Sequence, residues 1–131
     1  MAHIPLAGGF TLGNMNITGI PPIAITSYTP FQENDKLLLR YLSKKGYNVP
    51  YYKLDTLDEN QIAFISRKYC YDIDFVTAVP PCSGLSQAAT RAKGTRDTAP
   101  PNDWMYVSAE YLLKYIQPKI YSFENAPTLF T

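Results

Sequence analysis

Apolar positions along the 131-residue chain follow two alternating patterns. Short apolar runs bounded by proline, glycine or asparagine give way to longer segments in which apolar residues recur every three or four positions, the signature of strands followed by helices. Ala2 to Leu6 reads as an opening strand that runs into a turn at Gly8-Gly9, and the segment closing at Gly13 as a short helix. Pro22 to Thr26 is the next strand. Leu37, Leu38, Tyr41 and Leu42 predict a helix capped by Asn34 or Asp35 and ending near Gly46, after which Val49 to Leu54 returns to strand.

Beyond Asp55 and Thr56, Leu57, Ile62, Ile65 and Tyr69 share one helical face, with Asp58 and Glu59 in the first turn where they suit the helix dipole. Phe75 to Val79 is a buried-type strand stopped by Pro80-Pro81, because proline cannot donate to a sheet ladder. After the polar stretch Ser83 to Pro101, Asn102 or Asp103 caps a helix that turns Trp104, Val107, Tyr111, Leu112 and Tyr115 inward. Lys119 to Phe123 makes the last strand. Strands separated by helices imply an α/β fold, a mostly parallel sheet flanked by helices, whose chemistry sits at the carboxyl ends of the strands. That rule singles out Gly8-Gly9, Ser27-Tyr28, Asp55, Pro80-Pro81-Cys82 and Glu124-Asn125.

Composition narrows the setting. A chain that is 46% hydrophobic with a formal charge of +1 describes one globular domain over residues 1–131, without the charge excess of an indiscriminate nucleic-acid coat. Two cysteines, Cys70 and Cys82, and one histidine, His3, are too few for a four-ligand zinc site, so no metal is expected. Met1 to Gln32 carries no charged side chain, but its prolines and glycines rule out a membrane span there. The expected setting is a reducing cytoplasm with free thiols.

Cys82 stands at a strand end between two stiffening prolines and the turn-forming Ser83-Gly84. Read from position alone, it is either a thiolate nucleophile or a buried inert thiol, whereas Cys70, at a helix end among tyrosines, reads as structural. Glu124 emerges at the same edge, as a proton donor to a bound heterocycle, a helix cap or a solvent-facing carboxylate. Arg91, Lys93 and Arg96 lie among small residues, in either a phosphate-contacting loop or an ordinary solvated one.

Pro80-Pro81-Cys82-Ser83-Gly84-Leu85-Ser86 and Glu124-Asn125-Ala126, in that order and separated by one helix, resemble the Pro-Cys and Glu-Asn signatures of the cytosine-C5 DNA methyltransferases. Gly8-Gly9-Phe10-Thr11-Leu12-Gly13 is similar to the family's glycine-rich opening, and the likeness is closest to phage-type members. The resemblance implies a Rossmann-like methyltransferase fold, truncated here, S-adenosylmethionine as methyl donor and double-stranded DNA as partner. It also implies Cys82 as the nucleophile that adds to cytosine C6, and Glu124 as the group that holds the N3 and N4 edge of a flipped-out base. On the substrate side it adds Pro81, Ser86, Arg91, Arg96 and Asn125, the last as a brace for its loop. On the cofactor side it adds Gly8, Gly9, Phe10, Pro80 and Asp55, the last accepting a hydrogen bond from the adenine amino group.

Where the family has an acidic residue after the second strand to hold the ribose, this sequence has Ser27 or Tyr28, with Glu33 further on. The later family elements, including the target-recognition domain and the motif completing the cofactor pocket, are not found before Thr131. The expectation is an incomplete catalytic domain, completed by a second polypeptide, or a degenerate or split module that binds DNA, cofactor or a partner without turnover.

Overall fold

The structure, a computed structural model, describes residues 1–54, 59–81 and 104–124, with the backbone alone for residues 104–106. Five short strands form one sheet: β1 (Ala2–His3), β2 (Ile25–Tyr28), β3 (Tyr51–Leu54), β4 (Phe75–Ala78) and β5 (Ile120–Phe123). Their order is β3-β2-β1-β4-β5 and every pairing is parallel. Helices α1 (Gly9–Thr18), α2 (Gln32–Lys44), α3 (Glu59–Tyr69) and α4 (Trp104–Tyr111) connect them, and α4 runs on into a π-helical turn, Leu112–Ile116. The α/β architecture is the one expected. Among the described residues no helix is long and apolar enough to cross a membrane.

The pairing register sorts the side chains between two cores. Ala2 lies between Ile25 and Thr77, and Ala2 and Ile25 pack with Leu38 and Leu42 of α2 and with Leu12 and Met15 of α1. One residue on, each side chain points to the other face. There Val76 and Ala78 join Ile65 and Tyr69 of α3, Tyr111 of α4 and Leu112 and Ile116 of the π turn. The inward set expected for the last helix is confirmed at Tyr111 and Leu112, which are buried, and at Val107 and Tyr115, which are half-buried. The expected inward Trp104 and the caps Asn102 and Asp103 lie outside the described side chains.

Several element boundaries differ from expectation. The first strand stops at His3, because Ile4 (φ 45°) and Leu6 (φ 53°) take left-handed backbone that no strand continues through. The second lies at Ile25–Tyr28, starting three residues later and ending two later than expected. Helix α1 does not close at Gly13; it continues to Thr18 and ends at Gly19 (φ 71°), whose N–H donates to the Met15 carbonyl. Gly13 has open space around it, so its cost of about 1 kcal/mol against alanine is offset by packing of Leu12 and Met15. Helix α2 starts after a 3-10 turn, Thr29–Phe31, with no side-chain cap. Its end matches the reading: Gly46 (φ 82°) donates to the Ser43 carbonyl and Tyr47 to that of Leu42, a Schellman closure.

Candidate functional site

The connections β1-β2-β3 and β4-β5 travel in opposite directions across the sheet, so the order reverses between β1 and β4. In open parallel sheets a crevice forms at such a reversal, at the carboxyl ends of the strands. The segments that leave the strands at this reversal are residues 4–9 after β1 and Val79, Pro80 and Pro81 after β4. The two exits are stitched together by the Val79 N–H, which donates to the His3 carbonyl at 3.2 Å.

Glu124 joins this edge through its backbone. Its N–H donates to the carbonyl of Ala78, the last residue of β4, at 2.9 Å, one step beyond the Ala78–Phe123 pair of the ladder. The Glu124 side chain is exposed, Pro80 is buried and Pro81 half-buried. Sequence positions 82 and 124, 42 residues apart, are thus approached from adjacent parallel strands whose ends are in register. Cys82, Ser86, Arg91, Arg96, Asn125 and Asp55 lie outside the described residues. Cys70, just after α3, is a free, partly buried thiol.

At the end of β1 the two glycines do different things. Gly8 is buried with φ 91°, and a Cβ there would meet Leu38 at 2.7 Å, so Gly8 serves the turn and the close approach of α2. Gly9 opens α1, is exposed, and a Cβ there would meet nothing within 4 Å. Phe10 is half-buried beside it. Only Gly9 therefore offers backbone to an incoming ligand without a neighbour in the way, and α1 carries no acidic residue in its first turn to repel a carboxylate. These residues fit the amino-acid end of an S-adenosylmethionine-like molecule.

The ribose side is different. Ser27 is completely buried and Tyr28 nearly so, at 0% and 4% exposure. Glu33 faces solvent on α2, where its carboxylate pairs with Lys36 at 2.6 Å, and does not replace the missing acid. A small cavity of about 120 Å³ beside Tyr28 is bordered by Glu110 and Tyr111. A larger one, about 330 Å³, runs between α1 and the amino-terminal part of β4, past Thr11, Met15, Ile73 and Phe75, and touches neither Gly8, Gly9 nor Glu124.

Two buried polar side chains were not anticipated in these roles. Asp35, read as a helix cap, instead sits in the first turn of α2 with no exposure. Its Oδ1 accepts the Leu6 N–H at 3.0 Å and its Oδ2 accepts the Tyr51 hydroxyl at 2.8 Å. Burial pushes its carboxyl above the ordinary value, opposed by the Ser27 hydroxyl, the Tyr51 hydroxyl and the Leu6 N–H. Ser27 Oγ is buried near this pair, without hydrogen-bond geometry to any described group.

His3 is the second. It lies under the site in β1, fully buried, its Nδ1 at 2.9 Å from Thr26 Oγ1 and its ring stacked on Tyr111 at 5.0 Å. Desolvation lowers its pKa to about 3, so it is neutral and has no acid–base role near pH 7. The signal for His3 was a polar side chain inside an apolar run, whereas Asp35, within Gln32-Glu33-Asn34-Asp35-Lys36, carried no local signal of burial.

No curated protein matches the chain. A family model, described as C-5 cytosine-specific DNA methylase, matches residues 6–131. That span takes in the glycine turn, the Pro80-Pro81 exit and Glu124, and gives no support to a phage-type assignment in particular. With a parallel sheet whose order reverses between β1 and β4, and a match over nearly its whole length, this chain belongs to the C-5 cytosine-specific DNA methylase family.

Proposed function

We propose that this chain carries the catalytic half of a DNA cytosine-C5 methyltransferase acting in the reducing cytoplasm. The observation that carries the reading is the Glu124–Ala78 backbone bond, which brings Glu124 to the strand exit leading to Cys82.

Cytosine C5 is too weak a nucleophile to attack a methyl sulfonium unaided. In the proposed reaction the Cys82 thiolate forms a bond to C6 of a flipped-out cytosine, the C5–C6 electron pair moves to C4–C5, and the C4–N3 pair moves onto N3, which takes a proton and leaves an enamine with nucleophilic C5. Glu124 holds the N3 and N4 edge and supports the proton there. S-adenosylmethionine, when bound, would supply an electrophilic methyl group, whose bond to the sulfonium sulfur breaks as C5 takes the carbon, with S-adenosylhomocysteine as the leaving group. Loss of the C5 proton to a base then restores the C5–C6 double bond, and Cys82 leaves as thiolate.

Gly9 and Phe10 at the start of α1, with Pro80 and Asp55, would hold the donor, while Gly8 shapes the turn. Pro81, Ser86 and Asn125 would border the extruded base, and Arg91 and Arg96 would contact phosphates of the duplex. Flipping costs a few kcal/mol, which phosphate contacts offset.

Incubation with duplex DNA containing 5-fluorocytosine and S-adenosylmethionine tests this directly, since fluorine at C5 cannot leave as a proton and the adduct persists. A protein–DNA adduct that is lost in Cys82→Ser is the expected result. No adduct, even with a polypeptide carrying the remaining family motifs supplied, rejects catalysis.

One observation favours a second reading, a split or degenerate module. With Ser27 and Tyr28 buried and Glu33 in solvent, β2 offers no free acid for the ribose. In that case donor affinity is weak in this chain and is restored by a partner chain, or is lost altogether with DNA binding retained.

A further inference from the structure

We propose that Asp35 is a positioning residue for the cofactor loop: from inside α2 it fixes the backbone of residues 4–9 in the shape that a donor molecule meets. This rests on the reading of that loop as the donor site.

Three observations converge on it. The loop is unusual: Ile4, Leu6 and Gly8 all have positive φ, at 45°, 53° and 91°. Left-handed backbone at the first two costs on the order of 1 kcal/mol each, and such strain persists only where the surroundings hold it. Next, the Asp35 carboxylate takes the Leu6 N–H, at the centre of this stretch, with one oxygen and the Tyr51 hydroxyl with the other. Its own helix thereby becomes the anchor for both β3 and the loop. Finally, Leu38, one turn further along α2, closes over Gly8. The same helical face thus clamps the loop at two points, polar at residue 6 and steric at residue 8, and leaves Gly9 as the exposed residue where α1 begins.

A carboxylate suits this role better than a neutral acceptor. A hydrogen bond to a charged group is about twice as strong as a neutral one, and two donors from different segments restrict its rotation.

The test uses the full chain and S-adenosylhomocysteine as probe, with calorimetric titration and amide hydrogen exchange at Leu6. Asp35→Leu removes both acceptors; Asp35→Asn keeps an oxygen for Leu6; Tyr51→Phe removes the other bond only. Asp35→Leu is expected to weaken probe binding by about tenfold or more, the scale of one charged hydrogen bond, and to deprotect the Leu6 amide while β4 amides keep their protection. Asp35→Asn restores both in part, and Tyr51→Phe lowers stability with a smaller loss of affinity than Asp35→Leu. Should Asp35→Leu not fold, Asp35→Ala combined with Tyr51→Phe, which leaves no orphaned hydroxyl, takes its place. Wild-type protein that binds while the acceptor-free variant binds equally well overturns the positioning role alone, as does an affinity that merely tracks stability across the series. Wild-type protein that does not bind the probe overturns the donor-site reading and this inference together.

Discussion

Leu38 lies over Gly8 so closely that a Cβ on Gly8 would sit 2.7 Å from its Cδ1 and 2.9 Å from its Cβ. The second distance matters more, since a Cβ next to the helix backbone cannot swing aside as a methyl tip can. Two adjacent glycines in the same motif consequently have separable roles, one in packing and one in access.

Gly8→Ala is expected to destabilise the fold by roughly 2–4 kcal/mol, combining overpacking with the left-handed backbone penalty. Gly9→Ala, in open space, should stay within about 0.5 kcal/mol of wild type and yet weaken binding of S-adenosylhomocysteine. Urea denaturation of both variants with a titration of Gly9→Ala checks the pair. Equal stability losses would show that the glycines act alike.

The buried histidine predicts an acid limb in stability. His3 has a folded pKa near 3 against 6.5 for an ordinary imidazole. Between those values the unfolded chain binds a proton that the folded chain does not, so stability falls as pH falls, by about 1.4 kcal/mol per pH unit for this group. The contribution is complete above pH 6.5. Denaturation of wild type and His3→Asn at pH 7, 6 and 5 should show the asparagine variant losing less over the same interval, and parallel curves would contradict the assignment.

Adjacent leucines in the π turn give a test of the core. Leu112 is completely buried, whereas Leu113 is 53% exposed. Leu112→Ala is expected to cost about 2–5 kcal/mol, through lost burial and the cavity left behind. Leu113→Ala should change stability by no more than about 0.5 kcal/mol. Thermal or urea denaturation of the two separates them cleanly.

For the chemistry, Glu124→Gln keeps the backbone bond to Ala78 and the shape of an exposed side chain, but removes the carboxyl group that the proposed reaction places against the base. Stability should be unaffected within about 0.5 kcal/mol. The rate of adduct formation with 5-fluorocytosine DNA is expected to fall by about 10²- to 10⁴-fold, the usual contribution of a positioned acid. An unchanged rate removes Glu124 from the proposed reaction.

Local chemistry made much of this molecule readable before any coordinates. Pro80-Pro81 ended β4 within a residue of where it stops, Gly46 closed α2, and the spacing of Ile65 and Tyr69 found the buried face of α3. Each of these rests on backbone angles, missing donors or periodicity within a few residues, all of which a sequence displays. Gly13 misled because glycine marks a helix end only when nothing favours going on, and here Leu12 and Met15 had a core to reach. Asp35 misled in the opposite sense: its neighbours in sequence suggested a cap, but its partners, Leu6 and Tyr51, lie 29 and 16 residues away.

The candidate site divides along the same line. The residue types that suggest thiol chemistry beside a carboxylate, and the strand ends on which they stand, were encoded locally in Pro80-Pro81-Cys82 and in Glu124-Asn125. That β4 and β5 are neighbours in register, that the sheet reverses between β1 and β4, and that β2 ends in buried side chains instead of a free acid were decided by tertiary structure. Strand order, burial and the clamp on the β1 loop come from contacts between segments far apart in the chain, formed only when the two cores close on opposite faces of the sheet.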